Sequence, residues 1–324
     1  MLMFRRYRDL TAQGVMGMNR RNVSYIGRYN RRALFPLVDD KLKTKRLAIE
    51  HQVTVPCLIG VVSHQHEVRN IDHVIAGHRA FCIKPAKGSG GKGILVITKV
   101  EDGIFYRSNG QSMTLSELQR HVSNILAGLF SLGGATDAAM IEDCIEVEEA
   151  LANFSYEGVP DIRVIVFKGI PVMAMMRLSC SDSHGKANLH QGAIGVGLCL
   201  GTGKAVNAVK NDAIIHFHPD TNQDLRELQL PKWDGLLALA CACSDMTGLG
   251  YLGVDLVIDK NLGPMLLELN ARPGLSIQIA NNEGLLPRLR KIESISHPER
   301  WSAEQKIAFA QEHFSAALCT AECH

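Results

Sequence analysis

Long apolar stretches are missing from this sequence: no run of 18 apolar residues occurs, which leaves no candidate for a membrane-spanning helix. The first 46 residues lack the apolar central region of a secretory leader. Nine cysteines are present, an odd number, and none sits in a Cys-x-x-Cys pair. That pattern favours reduced thiols over a disulfide framework and points to a cytoplasmic location. At the end of the chain, Cys319, Cys323 and His324 could bind a metal or form a frayed tail. There is no Ser/His/Asp or Cys/His arrangement, so no side-chain nucleophile is expected. Internal repeats and low-complexity tracts are also absent.

What remains describes a globular chain. Its 324 residues, 46% hydrophobic and 21% charged, suffice for one large or two medium domains. The net charge of +2 conceals an asymmetry. Residues 1–46 hold 12 Lys/Arg against 3 Asp, a balance of +9, whereas 23 against 30 in the remainder leave −7. Such an arm can approach nucleic acid or an anionic membrane surface, or pair with acids of its own chain. Tyr7, Tyr25, Tyr29, Leu34 and Phe35 interrupt the arginines and argue that part of it packs. A helical reader and an aromatic stacking platform are missing, which weighs against a nucleic-acid function.

In chain order, a helix is expected over Asp39–His51, with Asp39 and Asp40 favourable at its start. Strands follow at Val53–Val62, Phe81–Lys84 and Ile94–Ile97. A helix opened by Ser112 or Thr114 runs to Leu129, and a strand spans Ala138–Ile141. The second half reads as strands Ile162–Phe167, Val172–Leu178 and Ala193–Leu198, then a helix Pro231–Met246. Helices near Ser276–Ala280 and Leu285–Ile292 come later. Trp301–Leu318 is an amphipathic helix that docks on the body or pairs two copies.

The most informative stretch is Gly250–Gly274. Two apolar runs flank Asp259-Lys260-Asn261-Leu262-Gly263, a cluster of turn formers, so a β-hairpin is expected. With the turn centred between Asn261 and Leu262, Asp255 falls opposite Glu268. Alternation then puts Glu268, Asn270 and Asp255 on one face, and Leu256, Ile258, Met265, Leu267 and Leu269 on the other. Opposed carboxylates destabilise a sheet unless a cation joins them. Two carboxylates and an amide suit Mg²⁺. Arg272, just beyond, could reach a phosphate. Replacing either acid removes charge but no core volume, so the fold is expected to survive.

Lys87–Gly93 is a glycine-rich connection between two strands, with Lys84, Lys87 and Lys92 around it. Glycines let backbone N–H groups approach phosphate oxygens, and lysines add positive charge. The spacing is neither a Walker loop nor a dinucleotide fingerprint. Lys45 could reach the same phosphates. Glu142–Glu149 is an acidic connector, either a solvated face or a nucleoside contact through Glu148 or Glu149. Asp161-x-Arg163 opens one strand and Arg177 closes the next, a pairing suited to bidentate recognition of carboxylate or phosphate. Asn188 and His190 occupy a polar loop that ends at Gly192.

Taken in order, Asp40-Lys41…Lys45, Ile83-Lys84-Pro85…Gly88-Ser89-Gly90-Gly91-Lys92-Gly93, Asp161-Ile162-Arg163-Val164, Asn188-Leu189-His190-Gln191-Gly192 and Gly253-Val254-Asp255…Leu267-Glu268-Leu269-Asn270-Ala271-Arg272-Pro273-Gly274 resemble the ATP-grasp superfamily. The closest resemblance is to its alpha-L-glutamate ligase-like branch, related to RimK-type ligases, and it covers roughly residues 38–292. It implies an α+β fold in which two lobes enclose ATP. The corresponding domains are a basic arm at 1–38, a small lobe at 39–138, a large lobe at 139–293 and a tail at 294–324. Typical members begin with a separate domain of about a hundred residues, whereas some forty basic residues precede the first motif here. That feature is shared with ATP-grasp proteins of sugar transfer and cell-envelope synthesis, the second branch it resembles.

The resemblance also implies roles. Lys45, Lys84, Gly90, Gly91 and Lys92 would bind phosphates, and Glu142, Ile145 and Glu148 or Glu149 the nucleoside. Asp255, Glu268 and Asn270 would hold two Mg²⁺ ions, with Mn²⁺ able to substitute. Arg177 and Arg272 would steady the transferred phosphate or substrate, with Asn188 and His190 positioning it. The implied activity is an ADP-producing carboxylate–amine ligase, with glutamate joined to a peptide or protein amine as one case. An ATP-binding partner protein without ligase activity is the alternative from another class. The implied partners are ATP, a carboxylate substrate, an amine acceptor and, through the last helix, a second copy of the chain.

Overall fold

The computed structural model describes residues 9–88, 90–183 and 185–315. Tyr7, Ser89, Leu318 and the Cys319, Cys323 and His324 group lie outside the described residues. Two compact units emerge, one made of Asp39–Arg46 and Val55–Glu146, the other of the described parts of Met1–Val38, Leu47–Thr54 and Val147–His324.

The smaller unit is built on six strands: β1 (Leu58–Val62), β2 (Phe81–Pro85), β3 (Leu95–Glu101), β4 (Ile104–Arg107), β5 (Ser112–Met113) and β6 (Ala139–Glu142). They form one sheet in the order β1-β6-β2-β3-β4-β5. Phe81 and Ile83, Leu95 and Ile97, and Ala139 and Ile141 recur every second residue and bury one face of it. Against that face lies a helix, Leu115–Leu126, whose Leu118, Val122 and Ile125 recur with helical spacing. Thr114 sets the start of this helix. The Glu117 N–H donates to its Oγ1 at 3.3 Å, and its own N–H donates to Glu117 Oε2 at 2.8 Å.

Several expected boundaries shift for identifiable reasons. β1 begins at Leu58 rather than Val53, after Pro56, which has no N–H to donate to a ladder. The helix expected from Ser112 starts later because Ser112 and Met113 pair with β4. The break between lobes falls after Glu146 rather than at 138/139, because β6 is hydrogen-bonded between β1 and β2.

The larger unit contains β7 (Asp161–Phe167), β8 (Ile170–Leu178), β9 (Ile194–Leu198), β10 (Ala205–Lys210), β11 (Ala213–Ile214), β12 (Tyr251–Asp259) and β13 (Gly263–Asn270). Their order is β11-β10-β9-β8-β7-β12-β13, with every neighbouring pair antiparallel. A helix, Trp233–Thr247, packs on β7, β8, β12 and β13. A short helix, Ile277–Asn281, lies over β8, β9 and β10. Gly197 permits that approach, since a Cβ there would stand 2.4 Å from the Ala280 carbonyl oxygen. The last described helix, Ala303–Phe314, docks on β8 and on Trp233–Thr247, and Lys306 is buried against Asp245 at 2.9 Å. Docking of that helix is therefore the observed arrangement.

The hairpin departs from its expected geometry in a compensating way. Near the turn, Asp259 pairs with Gly263 and Leu256 with Leu266, so the loop is one residue tighter than a turn between Asn261 and Leu262 requires. A bulge then places Leu266 and Leu267 opposite the step from Leu256 to Asp255, and Asp255 still faces Glu268. Leu266 is accordingly in the core, and Leu267, expected there, is only half-buried.

The described part of the arm belongs to the body of the larger unit. Helical turns run from Met18 to Tyr29. They bring the Tyr29 ring 4.8 Å from Phe167 edge-on, and Tyr25 within 5.6 Å of Phe167 and 6.0 Å of Tyr251. Buried Asn30 then joins the arm to β12. Its Nδ2 donates to the Tyr251 carbonyl at 2.7 Å, and its Oδ1 accepts from the Tyr251 N–H at 2.8 Å. Replacing Asn30 by Ala strands two buried backbone groups, so Asn30→Ala should lower stability by about 2 kcal/mol or more. Urea unfolding measures this; an unchanged midpoint would show that the arm is not anchored through Asn30.

Candidate functional site

In the smaller unit the expected phosphate-binding lysines converge on one acid. Glu142, at the end of β6, places Oε1 2.5 Å from Lys45 Nζ and Oε2 2.7 Å from Lys84 Nζ. Lys45 comes from the helix Lys41–Glu50 and also donates to the Pro56 carbonyl; Lys84 comes from β2. The Glu142 side chain is 3% exposed, and each of its oxygens meets one lysine. Two ammonium groups against one carboxylate leave a net charge of +1, the complement of an anion. Burial would raise the Glu142 carboxyl, but Lys84 and Lys45 outweigh it and hold the group below the usual range.

The glycine-rich loop follows β2. Gly90 and Gly91 have φ of +63° and +73°, a conformation that side-chain-bearing residues adopt only at a cost, and open space surrounds both. Lys92 is exposed on this loop. Asp137 ties down the loop's base: its carboxylate accepts the Lys87 N–H at 3.0 and 3.1 Å and the Ser131 hydroxyl at 2.5 Å. No sequence signal marked Asp137. Ile145 is half-buried in the irregular segment after β6.

In the larger unit, sheet register assembles a second polar cluster. Glu268, Asp255 and Arg163 lie in one row across β13, β12 and β7, and Arg177 on β8 stands opposite Asp161. Arg163 grips Asp255 bidentately, Nε to Oδ1 at 2.7 Å and Nη2 to Oδ2 at 2.6 Å. Arg177 Nη2 reaches the same Oδ2 at 2.8 Å while Arg177 also clamps both oxygens of Asp161. Asn270 Nδ2 adds a contact to Asp255 Oδ2 at 3.2 Å. Burial opposes ionisation of Asp255, yet Arg163 and Arg177 prevail and bring its carboxyl down to about 2. Arg163 and Asp161, the strand-opening pair noted in the sequence, belong to this cluster and grip protein carboxylate and guanidinium groups within it. Their spacing of two along a strand, opposite an acid and an arginine, was the available signal.

Asp255, Glu268 and Asn270 thus share the face that alternation required. The set fits a hard divalent cation on its donor chemistry, and Asp255 already attracts two cationic side chains. Among the described residues there is no group of three or more His, Cys, Asp or Glu suited to a metal. Arg272 lies with its guanidinium 4.9 Å over the Phe35 ring of the arm. Other candidates are dispersed. Asn188 accepts the His190 N–H at 3.1 Å and shapes its own loop, and His190 is exposed. Glu148 lies 3.7 Å from Lys232, and Glu149 pairs with Lys260 at 2.5 Å.

Two units, each an antiparallel sheet packed with helices, accord with an α+β fold of the ATP-grasp kind. The chain belongs to the sugar-transfer-associated ATP-grasp family, whose sequence model matches residues 20–294. The superfamily is the expected one, and the matching branch is the second of the two resemblances. No curated protein sequence matches the chain. Among solved structures it is similar to the ATP-grasp ligase PsnB bound to a minimal precursor, at 14% identity and TM-score 0.46, covering 81% of this chain and 61% of PsnB. The D-cycloserine synthetase DcsG shows 18% identity and TM-score 0.45 over 85% of this chain and 72% of its own. A RimK-domain ATP-grasp protein from Sphaerobacter thermophilus shows 14% and 0.43 over 78% and 69%. The chain therefore spans about three-fifths of PsnB, and likeness at this level says nothing about substrates.

The lysine–glutamate cluster has a pH signature. Because the folded pKa of Glu142 is depressed, its contribution is fully present above the unfolded value of about 4.3 and fades as pH falls through the lower folded value. Glu142→Gln should cost about 3–5 kcal/mol at pH 7, since it leaves two lysines without their counter-ion. It should also flatten the loss of stability between pH 5 and the acid range, measured by urea unfolding across pH. Equal acid sensitivity in both proteins would remove Glu142 from that role.

Proposed function

We propose that the protein is an ATP-dependent carboxylate–amine ligase. The observation that carries this reading is the strand face on which Asp255 and Glu268 stand opposed with Asn270 beside them, in a chain of the ATP-grasp family. In the proposed reaction a substrate carboxylate oxygen attacks the γ-phosphorus of ATP. The bond from that phosphorus to the β–γ bridging oxygen breaks, releasing ADP and leaving an acyl phosphate. An amine nitrogen then attacks the acyl carbon, phosphate departs, and the amine's proton is lost to solvent or base, which completes the amide.

In this scheme Lys45 and Lys84 hold phosphate oxygens, and the Lys87–Gly93 loop covers them with backbone N–H groups and keeps water from the acyl phosphate. Asp255, Glu268 and Asn270 hold Mg²⁺, whose chemistry is to neutralise charge on the transferring phosphoryl group. Arg272, stacked on Phe35, and Arg177 face anionic oxygens of substrate or phosphate. Asn188 and His190 contribute through their loop to substrate positioning, and Glu148 or Glu149 to the nucleoside. Because the family is described as sugar-transfer-associated, a carboxylate or amine carried on a sugar is the first substrate class to test, with glutamate and peptide amines as the second. Among the described residues no disulfide joins the cysteines, which suits a reducing cytoplasm. No described helix is long and apolar enough to cross a membrane.

An ADP-release screen across acids and amines tests the proposal. With an active pair in hand, Glu268→Gln should lower turnover by about 100-fold or more while the melting temperature stays close to that of the parent. Turnover within a few-fold would reject the metal assignment. Asp255→Asn is a poorer probe, because Asp255 also holds Arg163 and Arg177, and its loss should destabilise the fold by about 3–5 kcal/mol. Lys84→Met should weaken a non-hydrolysable ATP analogue about tenfold or more by calorimetry; unchanged affinity would confine Lys84 to pairing with Glu142.

A further inference from the structure

The cluster on β7, β8 and β12 contains more than a prepared metal site. Asp255 is 2% exposed, and its carboxylate accepts four contacts, two from Arg163, one from Arg177 and one from the Asn270 amide. Three of these contacts crowd Oδ2, more than its two lone pairs, and the single contact on Oδ1 comes from Arg163. The two arginines are not equivalent. Arg177 has a second acid, Asp161, whose two oxygens it clamps. Arg163 has Asp255 as its only ion-pair partner among the described residues. Asn270, for its part, offers Asp255 its Nδ2 donor, whereas a metal would need its carbonyl oxygen. A cation that takes Oδ2 must displace a contact, and one that takes Oδ1 meets the Arg163 guanidinium there; in both cases the contact whose loss leaves Arg177 with a partner is that of Arg163.

We infer that Arg163 is a positioning residue: a resident counter-ion that occupies Asp255 in the metal-free protein and must yield it when a divalent cation binds. This rests on Asp255, Glu268 and Asn270 being the metal donors. Charge accounting supports the exchange. Asp161, Asp255, Arg163 and Arg177 sum to zero, which makes the burial of Asp255 tolerable without metal. When a divalent cation takes over Asp255, the guanidinium of Arg163 becomes a free bidentate donor beside that cation. It is then matched in shape to a phosphate or carboxylate. Metal affinity is thereby kept low until an anion is present to receive Arg163. The residue couples entry of the cation to entry of the anionic substrate.

The test is Mn²⁺ titration of the full chain without nucleotide, followed by water-proton relaxation. Arg163→Met should bind Mn²⁺ at least five- to tenfold more tightly than the parent. General damage to the site would move affinity the other way. Glu268→Gln serves as the control for the site itself and should bind Mn²⁺ much more weakly. If Glu268→Gln loses affinity while Arg163→Met is unchanged or weaker, the counter-ion role is overturned and the metal site stands. If Glu268→Gln binds like the parent, the metal assignment falls and the inference falls with it. Should Arg163→Met not fold, Arg163→Lys replaces it. Lysine keeps the charge but lacks the bidentate grip, and it should tighten Mn²⁺ binding by a few-fold. Parental affinity in a folded Arg163→Lys protein would overturn the role.

Discussion

Two buried aspartates and two half-buried arginines in the middle of a seven-stranded sheet form the interaction on which the larger unit depends. Removing such ions from water costs several kcal/mol each, and the cost is recovered only if partners arrive in good geometry. Here the geometry comes from strand register: Asp255 faces Arg163, and Asp161 faces Arg177. A slip of one residue in either ladder would turn a charge into the apolar layer beneath the Trp233–Thr247 helix. The quartet therefore acts as a register key for β8, β7 and β12. It places the carboxylate of Asp255 where β13 can bring Glu268 opposite.

The smaller unit solves a related problem with a different balance. Its Lys45–Glu142–Lys84 cluster holds one positive charge in excess, the complement of an anion. The quartet is neutral and reserves its charge for exchange. Each arrangement exposes little of itself, so the chemistry each supports depends on a few displaceable contacts and not on a large open charged surface.

Much of this was legible in the sequence because period-2 alternation determines which side chains share a face. The face of Asp255, Glu268 and Asn270, the lysines around the glycine loop, and the helix opened by Thr114 all follow from local rules. What escaped was set by long-range pairing. Glu142 reads as the start of an acidic connector until β6 is seen between β1 and β2, with Lys45 and Lys84 at its end. Asp137 has no local motif, since it acts on a loop fifty residues earlier. The arm's packing was foreshadowed by Tyr25, Tyr29 and Phe35, but Asn30, its polar clasp, carries no local motif. Leu267 was placed in the core because a bulge has no signature in an unbroken apolar run.

That bulge has an implication for how the hairpin can vary. Two residues of β13 stand against one step of β12 between the turn and the acids, so the ladder contains one residue of slack. A loop longer or shorter by one residue could be absorbed by shifting or deleting the bulge, with Asp255 still opposite Glu268. The tip, where Leu262 is exposed, is thus mechanically insulated from the acids, and length drift there need not reach the chemistry.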